Sequence, residues 1–428
     1  MGKQNVEGNL QYLIFVCLFY FYIMRDWLER KIPAAGYGDE VIALLAIPIF
    51  FYELKKNRFD LVIRREGYGK YIVLFLLTGF LGNAAYRYQN LVETALPDMF
   101  LCIKFWLTLY VGRHLFSQMP LEEYAPKIYN HIKLVALTYC GCYLLDLRFH
   151  IFWASLRYGM RSTQLMYSHS TVFAACCIFL IVVLLSLTDY IAGWEKWLLI
   201  LLFLMCTTLR SKAWGAAIAI LLICYFVFYR EKKVRIRTLL LFVPLIVAVA
   251  WEQIEFYFFS SIQGDSARYQ LLIKSLEIAK DHFPLGAGFG TFGSYYSGRV
   301  YSPLYFIYGL TMVHGLTVRD TSFMSDSFWP MVIGQTGFIG TLAFALAIMG
   351  LFREIQKVRI NSPALYASAL SGLSYLLIIS VAESAFVHPV AAPIAMWMGY
   401  VLNPNVDIGD GYNESLSERF RKDKVWYE

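Results

Sequence analysis

The sequence predicts an all-α, polytopic integral membrane protein with about twelve transmembrane helices and one long extracytoplasmic loop. Three observations predict it. Of the 428 residues, 58% are apolar and only 16% are charged, where soluble chains carry roughly 25% charge. Apolar runs close to the roughly 20 residues that cross a roughly 30 Å hydrocarbon core recur along the chain. Most of the 38 lysines and arginines fall in every second connection between those runs. Backbone groups in lipid must bond within their own segment, so the spans are helices.

The spans fall at 10–24, 40–54, 70–86, 96–116, 132–146, 170–188, 196–210, 213–229, 238–254, 327–352, 364–383 and 388–403. The first has no small-residue cleavage site behind it and reads as a retained helix. The organisation is then transmembrane helices 1 to 9 over 1–254, an extracytoplasmic loop over 255–326, helices 10 to 12 over 327–403, and a charged tail over 404–428. Cations concentrate in the connections on the side of the amino terminus, which places both termini in the cytoplasm. The formal net charge of +7 therefore reads as topology and attraction to anionic lipid headgroups, and not as nucleic-acid binding. All eight cysteines lie in apolar segments, which predicts neither disulfides nor a metal cluster.

Three polar constellations stand out. Thr207-Thr208-Leu209-Arg210-Ser211-Lys212 breaks two apolar runs and puts two cations at the outer membrane face. Fixed cations there need anionic partners; these are either lipid phosphates reached by snorkelling side chains or the diphosphate of a lipid-linked substrate.

The second constellation is 265–294. Asp265 or Ser266 caps a helix whose apolar stripe is Tyr269, Leu272 and Leu276, and Pro284 ends it. Arg268 opposes the helix dipole in the first turn, so it either pairs with Asp265 or serves a partner. Gly286, Gly288, Gly290 and Gly293 permit a tight turn and close backbone approach. They follow a helix and a proline, not a strand, which argues against a dinucleotide site.

The third comprises His314, Arg319, Asp320, Asp326 and Ser327 ahead of the apolar run that starts at Phe328. It offers a general base and an anion clamp at a membrane entrance, or ordinary capping and loop polarity.

Taken in order, these segments resemble the O-antigen polymerase and ligase superfamily of membrane glycosyltransferases. The resemblance rests on the break at Thr208-Leu209-Arg210-Ser211, the long outer loop, Arg268 followed by Phe283-Pro284-Leu285-Gly286-Ala287-Gly288-Phe289-Gly290-Thr291-Phe292, and Asp326-Ser327-Phe328 running into Gly334-Gln335-Thr336-Gly337. It covers roughly residues 200–345. Ser327 and Gln335 stand where the family pattern often has Asn and Glu.

The resemblance implies a GT-C-like fold in the bacterial cytoplasmic (inner) membrane, with the active site facing the periplasm. It implies polymerisation of undecaprenyl-diphosphate-linked oligosaccharide repeat units into O-antigen or capsular-type polysaccharide, with no metal or cofactor. It also implies a chain-length regulator protein as partner. Ligases of the family carry His directly before the helix that here follows Asp326-Ser327; His314 lies twelve residues earlier, which favours a polymerase.

The residues suit that chemistry. Arg210 and Arg268 are the candidates to stabilise the departing diphosphate, and Asp326 or His314 to take the proton of the attacking hydroxyl. Lys212, Arg319 and Asp320 are candidate substrate contacts. Tyr269, Tyr295 and Tyr296 are candidate substrate contacts; Tyr295, Tyr296, Tyr301, Tyr305 and Tyr308 either stack on sugar rings or are ordinary interface tyrosines. Direct attack inverts the anomeric centre. A ligase, or a transporter of the same lipid-linked glycans with Lys104 and Asp98 lining a cavity, is the alternative.

Overall fold

A computed structural model describes residues 2–56, 67–230, 266–359 and 362–403. The predicted span 238–254, Asp265 and the tail lie outside the described residues.

Among the described residues the only strands form one two-residue hairpin pairing Leu156–Arg157 with Met160–Arg161; the rest is helix joined by turns and loops. Its helices are α1 (Gly2–Lys31), α2 (Gly38–Leu44), α3 (Ala46–Lys56), α4 (Gly69–Tyr86), α5 (Leu96–Leu115), α6 (Leu121–Phe149), α7 (Ser170–Ser186), α8 (Trp194–Cys206) and α9 (Ser211–Cys224). There follow α10 (Ala267–Asp281), α11 (Tyr295–Arg299), α12 (Pro303–Ile307), α13 (Phe328–Val358), α14 (Pro363–Ser380) and α15 (Ala391–Val401). Among the described residues six helical segments are long and apolar enough to cross a membrane: Val6–Lys31, Pro33–Lys55, Leu91–Leu115, Ser211–Tyr229, Phe328–Val358 and Pro363–Ser380. α7 and α15 are apolar but shorter.

The bundle is built around α7. From Phe173 to Ser186 every side chain of that helix is buried, as expected of a helix that is apolar all round. The apolar residues that remain exposed, such as Leu13, Phe51, Val73, Leu134, Leu144 and Phe203, lie on the outside of the bundle. A soluble protein would keep such a surface small; lipid is its natural solvent. α5 and α15 approach to backbone contact through Gly112 and Gly399: a Cβ on either would meet a carbonyl oxygen of the other helix at 1.9 Å. Small residues at such a crossing are what lets membrane helices pack. All eight cysteines are free.

α10 corrects one sequence reading. Its buried face is Ala267, Leu271, Ser275 and Ile278, not Tyr269, Leu272 and Leu276; Leu276 is exposed. α10 packs on α13, and it is that contact which decides the buried face. Ser266 occupies the N-cap without a side-chain hydrogen bond.

Candidate functional site

Four helix N-termini converge at one end of the bundle, and each brings a charged or titratable side chain. His169 is the N-cap of α7 and Arg210 the N-cap of α9. Arg268 is in the first turn of α10, and Asp326 precedes Ser327, the N-cap of α13. The contacts between them run as a chain. Arg210 Nε donates to Ser170 Oγ at 2.7 Å, and its Nη2 donates to His169 Nε2 at 2.7 Å. Lys212 is ion-paired with Glu383. Ser384, next to Glu383, donates its hydroxyl to the carbonyl of Ser325, next to Asp326. Arg268 Nη2 meets Asp326 Oδ2 at 2.8 Å.

A guanidinium only donates, so His169 Nε2 is the unprotonated nitrogen. Nδ1 then carries the proton and faces Thr171 Oγ1 at 2.6 Å, with the Thr171 backbone N–H a longer 3.4 Å from the same nitrogen. Burial, and after it the charge of Arg210, hold the His169 pKa below its ordinary value, so the ring is neutral at pH 7. For Glu383 burial acts upward, but the charge and hydrogen bond of Lys212 outweigh it and keep the carboxyl below its ordinary value.

The turn that aims Arg210 is held in place from outside. Leu209 has a φ of +51°, a left-handed conformation that costs a non-glycine residue about 1–3 kcal/mol. The adjacent carbonyls are tied down: Thr207 accepts from Thr163 N at 3.1 Å and Thr208 from Ser162 Oγ at 2.7 Å. Three cations and four helix N-termini facing one place favour an anion, because each N-terminus adds unpaired N–H groups and about half a positive charge. The carboxylates now paired with Lys212 and Arg268 are side chains that an incoming phosphate can displace.

The glycine run performs a different task. Gly337 interrupts α13 with φ +64° and ψ −170°, freeing carbonyls in the preceding turn. Ala287 N and Gly288 N donate to the carbonyls of Gly334 and Gln335 at 3.0 and 2.8 Å. Asn83 grips Phe289 with both ends of its amide, at 2.7 and 2.8 Å. Asp98 Oδ2 accepts from Gly290 N and from Gln335 Nε2, both at 2.8 Å. A Cβ on Gly286 would lie 2.2 Å from Gly337 N, so only glycine fits. The run is a latch that fixes residues 286–290 to α4, α5 and α13.

The structure brings together Arg210, Lys212, Arg268 and Asp326. It does not bring His314 to them: that side chain is 80% exposed and faces Asp320 at 3.6 Å. Arg319 is exposed, and hydrogen bonds from Ser322 hold Asp320 below its ordinary pKa. Tyr295 is exposed, and Tyr296 is edge-on to it. Tyr269 is partly buried. Tyr305 is fully buried and its hydroxyl accepts from Gly293 N at 3.0 Å, so it has no face for a sugar. Lys104 is ion-paired with Asp39 and Glu40, and Asp98 belongs to the latch.

His169, Glu383, His388 and Arg25 emerge only in three dimensions. With Tyr22, Asp26 and Glu29, three of these (His169, His388 and Arg25) line a cavity of about 370 Å³ between the end of α1, the start of α7 and the 388–393 segment. Of their signals in the sequence, the clearest are His169 just ahead of the apolar run of α7 and Glu383 alone between two apolar runs. Neither a protein-family model nor a curated protein matches the chain.

Proposed function

We propose that the protein is a membrane glycosyltransferase that polymerises undecaprenyl-diphosphate-linked oligosaccharide repeat units at the outer face of the cytoplasmic membrane, displacing undecaprenyl diphosphate. One observation carries the reading: Arg210 and Lys212 at the start of α9 and Arg268 at the start of α10 gather with four helix N-termini at one end of a lipid-exposed bundle. A diphosphate leaving group develops charge in the transition state, and preorganised donors at that place lower the barrier.

In this reading the diphosphate oxygens replace Asp326 on Arg268 and Glu383 on Lys212, while Arg210 turns from His169 to phosphate. Arginine suits the role because its fork meets two phosphate oxygens at once. The hydroxyl of the acceptor attacks the anomeric carbon as the bond to the diphosphate breaks, which inverts that centre. The predicted twelve spans, the GT-C-like arrangement, the cytoplasmic termini and a chain-length regulator partner belong to the same proposal.

The test is incubation of purified protein in lipid vesicles with lipid-linked repeat units from its own source. The expected products are a ladder of glycans and free undecaprenyl diphosphate. With folded protein and verified substrate, absence of both transfers the reading to a ligase that needs another acceptor, or to a transporter.

A further inference from the structure

We infer that the cavity beside the cation cluster seats the acceptor sugar, and that His169, on the wall between the two, takes the proton of its attacking hydroxyl. This rests on the glycosyltransferase reading above. A volume of about 370 Å³ is at the small end of ligand pockets, which run roughly 300–1,000 Å³, and suits one or two sugar rings. Arg25 and His388 bring donors, Asp26 and Glu29 bring acceptors, and Phe179 brings an apolar face. Arg25 is outnumbered by carboxylates, with Glu29 and Asp39 each at 3.2 Å and Asp26 also on the wall, so the cavity has no excess of positive charge for a phosphate. Its chemistry fits a neutral, polyhydroxylated group.

Its position assigns the group to the acceptor and not to the donor. None of Arg210, Lys212 or Arg268 lines the cavity, whereas the first donor sugar must stay bonded to a diphosphate held by those residues. His169 belongs to both places: it lines the cavity, and its Nε2 accepts from Arg210 Nη2 at 2.7 Å. When Arg210 turns to the diphosphate, that nitrogen lone pair is released next to the cavity. The step then balances. The acceptor oxygen bonds to the anomeric carbon, the carbon–oxygen bond to the diphosphate breaks with its electron pair, and the hydroxyl proton goes to Nε2. The imidazolium afterwards returns the proton to water. Arg210, which can only donate to Nε2, sets the tautomer this needs, and Thr171 Oγ1 at 2.6 Å from Nδ1 holds the ring in place.

Two probes test the inference separately from the activity: the free repeat-unit oligosaccharide released from the source polysaccharide by mild acid, and undecaprenyl diphosphate. Both are titrated by calorimetry against full-length protein in lipid nanodiscs. Val172→Trp, which fills the cavity, is expected to weaken oligosaccharide binding at least tenfold and leave undecaprenyl diphosphate binding unchanged. Glu29→Gln, at a half-exposed side chain where folding is not in question, is expected to weaken it several-fold. Oligosaccharide bound as tightly by both variants as by the wild type, or not bound by the wild type at all, overturns the acceptor chamber. Binding that obeys these expectations in a protein without turnover upholds the chamber and overturns the polymerase reading. His169→Gln, whose amide oxygen can still accept from Arg210, is expected to lower turnover at least 100-fold with oligosaccharide affinity retained. Turnover within threefold of wild type overturns the role of His169.

Discussion

The cation cluster and the glycine latch are both polar assemblies drawn from distant parts of an apolar chain, and they are satisfied in opposite ways. In the latch Asn83 and Asp98 bond backbone N–H and C=O groups and are themselves buried. In the cluster Lys212 and Arg268 bond carboxylates, Glu383 and Asp326, whose side chains remain 26% and 33% exposed. A backbone partner cannot leave, whereas a partly hydrated carboxylate can be exchanged for another anion. The identity of the partner therefore separates architecture from chemistry in a membrane protein, where any polar residue looks exceptional in sequence.

The comparison breaks if the two regions respond alike to substitution. The largest expected effect is on turnover: Arg210→Ala or Arg268→Ala lowers it by a factor on the order of 100–1,000, the scale for losing one charge-stabilising donor, while the thermal midpoint measured by light scattering barely moves. Gly286→Ala should do the reverse. The backbone there has φ +80° and a Cβ would strike Gly337 N, so the yield of monodisperse protein on size exclusion collapses.

A smaller effect sharpens the exchangeable-partner idea. Because Lys212 keeps the Glu383 carboxyl below its ordinary pKa of about 4.3, the pair stabilises the fold fully above that pH. Its contribution is lost as pH falls through the lower, folded-state value. Thermal unfolding should show an acid-limb loss below about pH 4.3 that is shallower in Glu383→Gln. The smallest effect is His314→Ala, at a side chain 80% exposed and outside the cluster; initial-rate assays should find turnover within threefold of wild type.

Hydropathy made the helices legible, and a polar residue in an apolar setting made Arg210, Lys212, Arg268 and Asp326 legible. What sequence order could not supply was their partners. Glu383 looked like the end of a span over 364–383, but α14 stops at Ser380, leaving 381–390 to fold back over the site. His169 has no signal of its own beyond standing ahead of an apolar run, because its significance depends on Arg210 arriving from 41 positions later. The glycines were legible as points of close approach, yet nothing local says that the approaching backbone is the broken turn of α13. For α10 the apolar stripe misled, because α13 covers the face of Leu271 and Ile278, and nothing in the local sequence says which of two apolar faces a neighbour will cover.

A left-handed glycine inside a long helix would by itself make a pivot. In α13 the pivot at Gly337 is plugged by the backbone of Gly286 to Gly288, so the stretch from Phe328 to Thr336 and residues 286–290 form one lever. Asp326 sits two residues from the end of that lever. Any displacement of the 286–290 segment is thus carried to the carboxylate that holds Arg268, and the latch and that ion pair share a single mechanical degree of freedom.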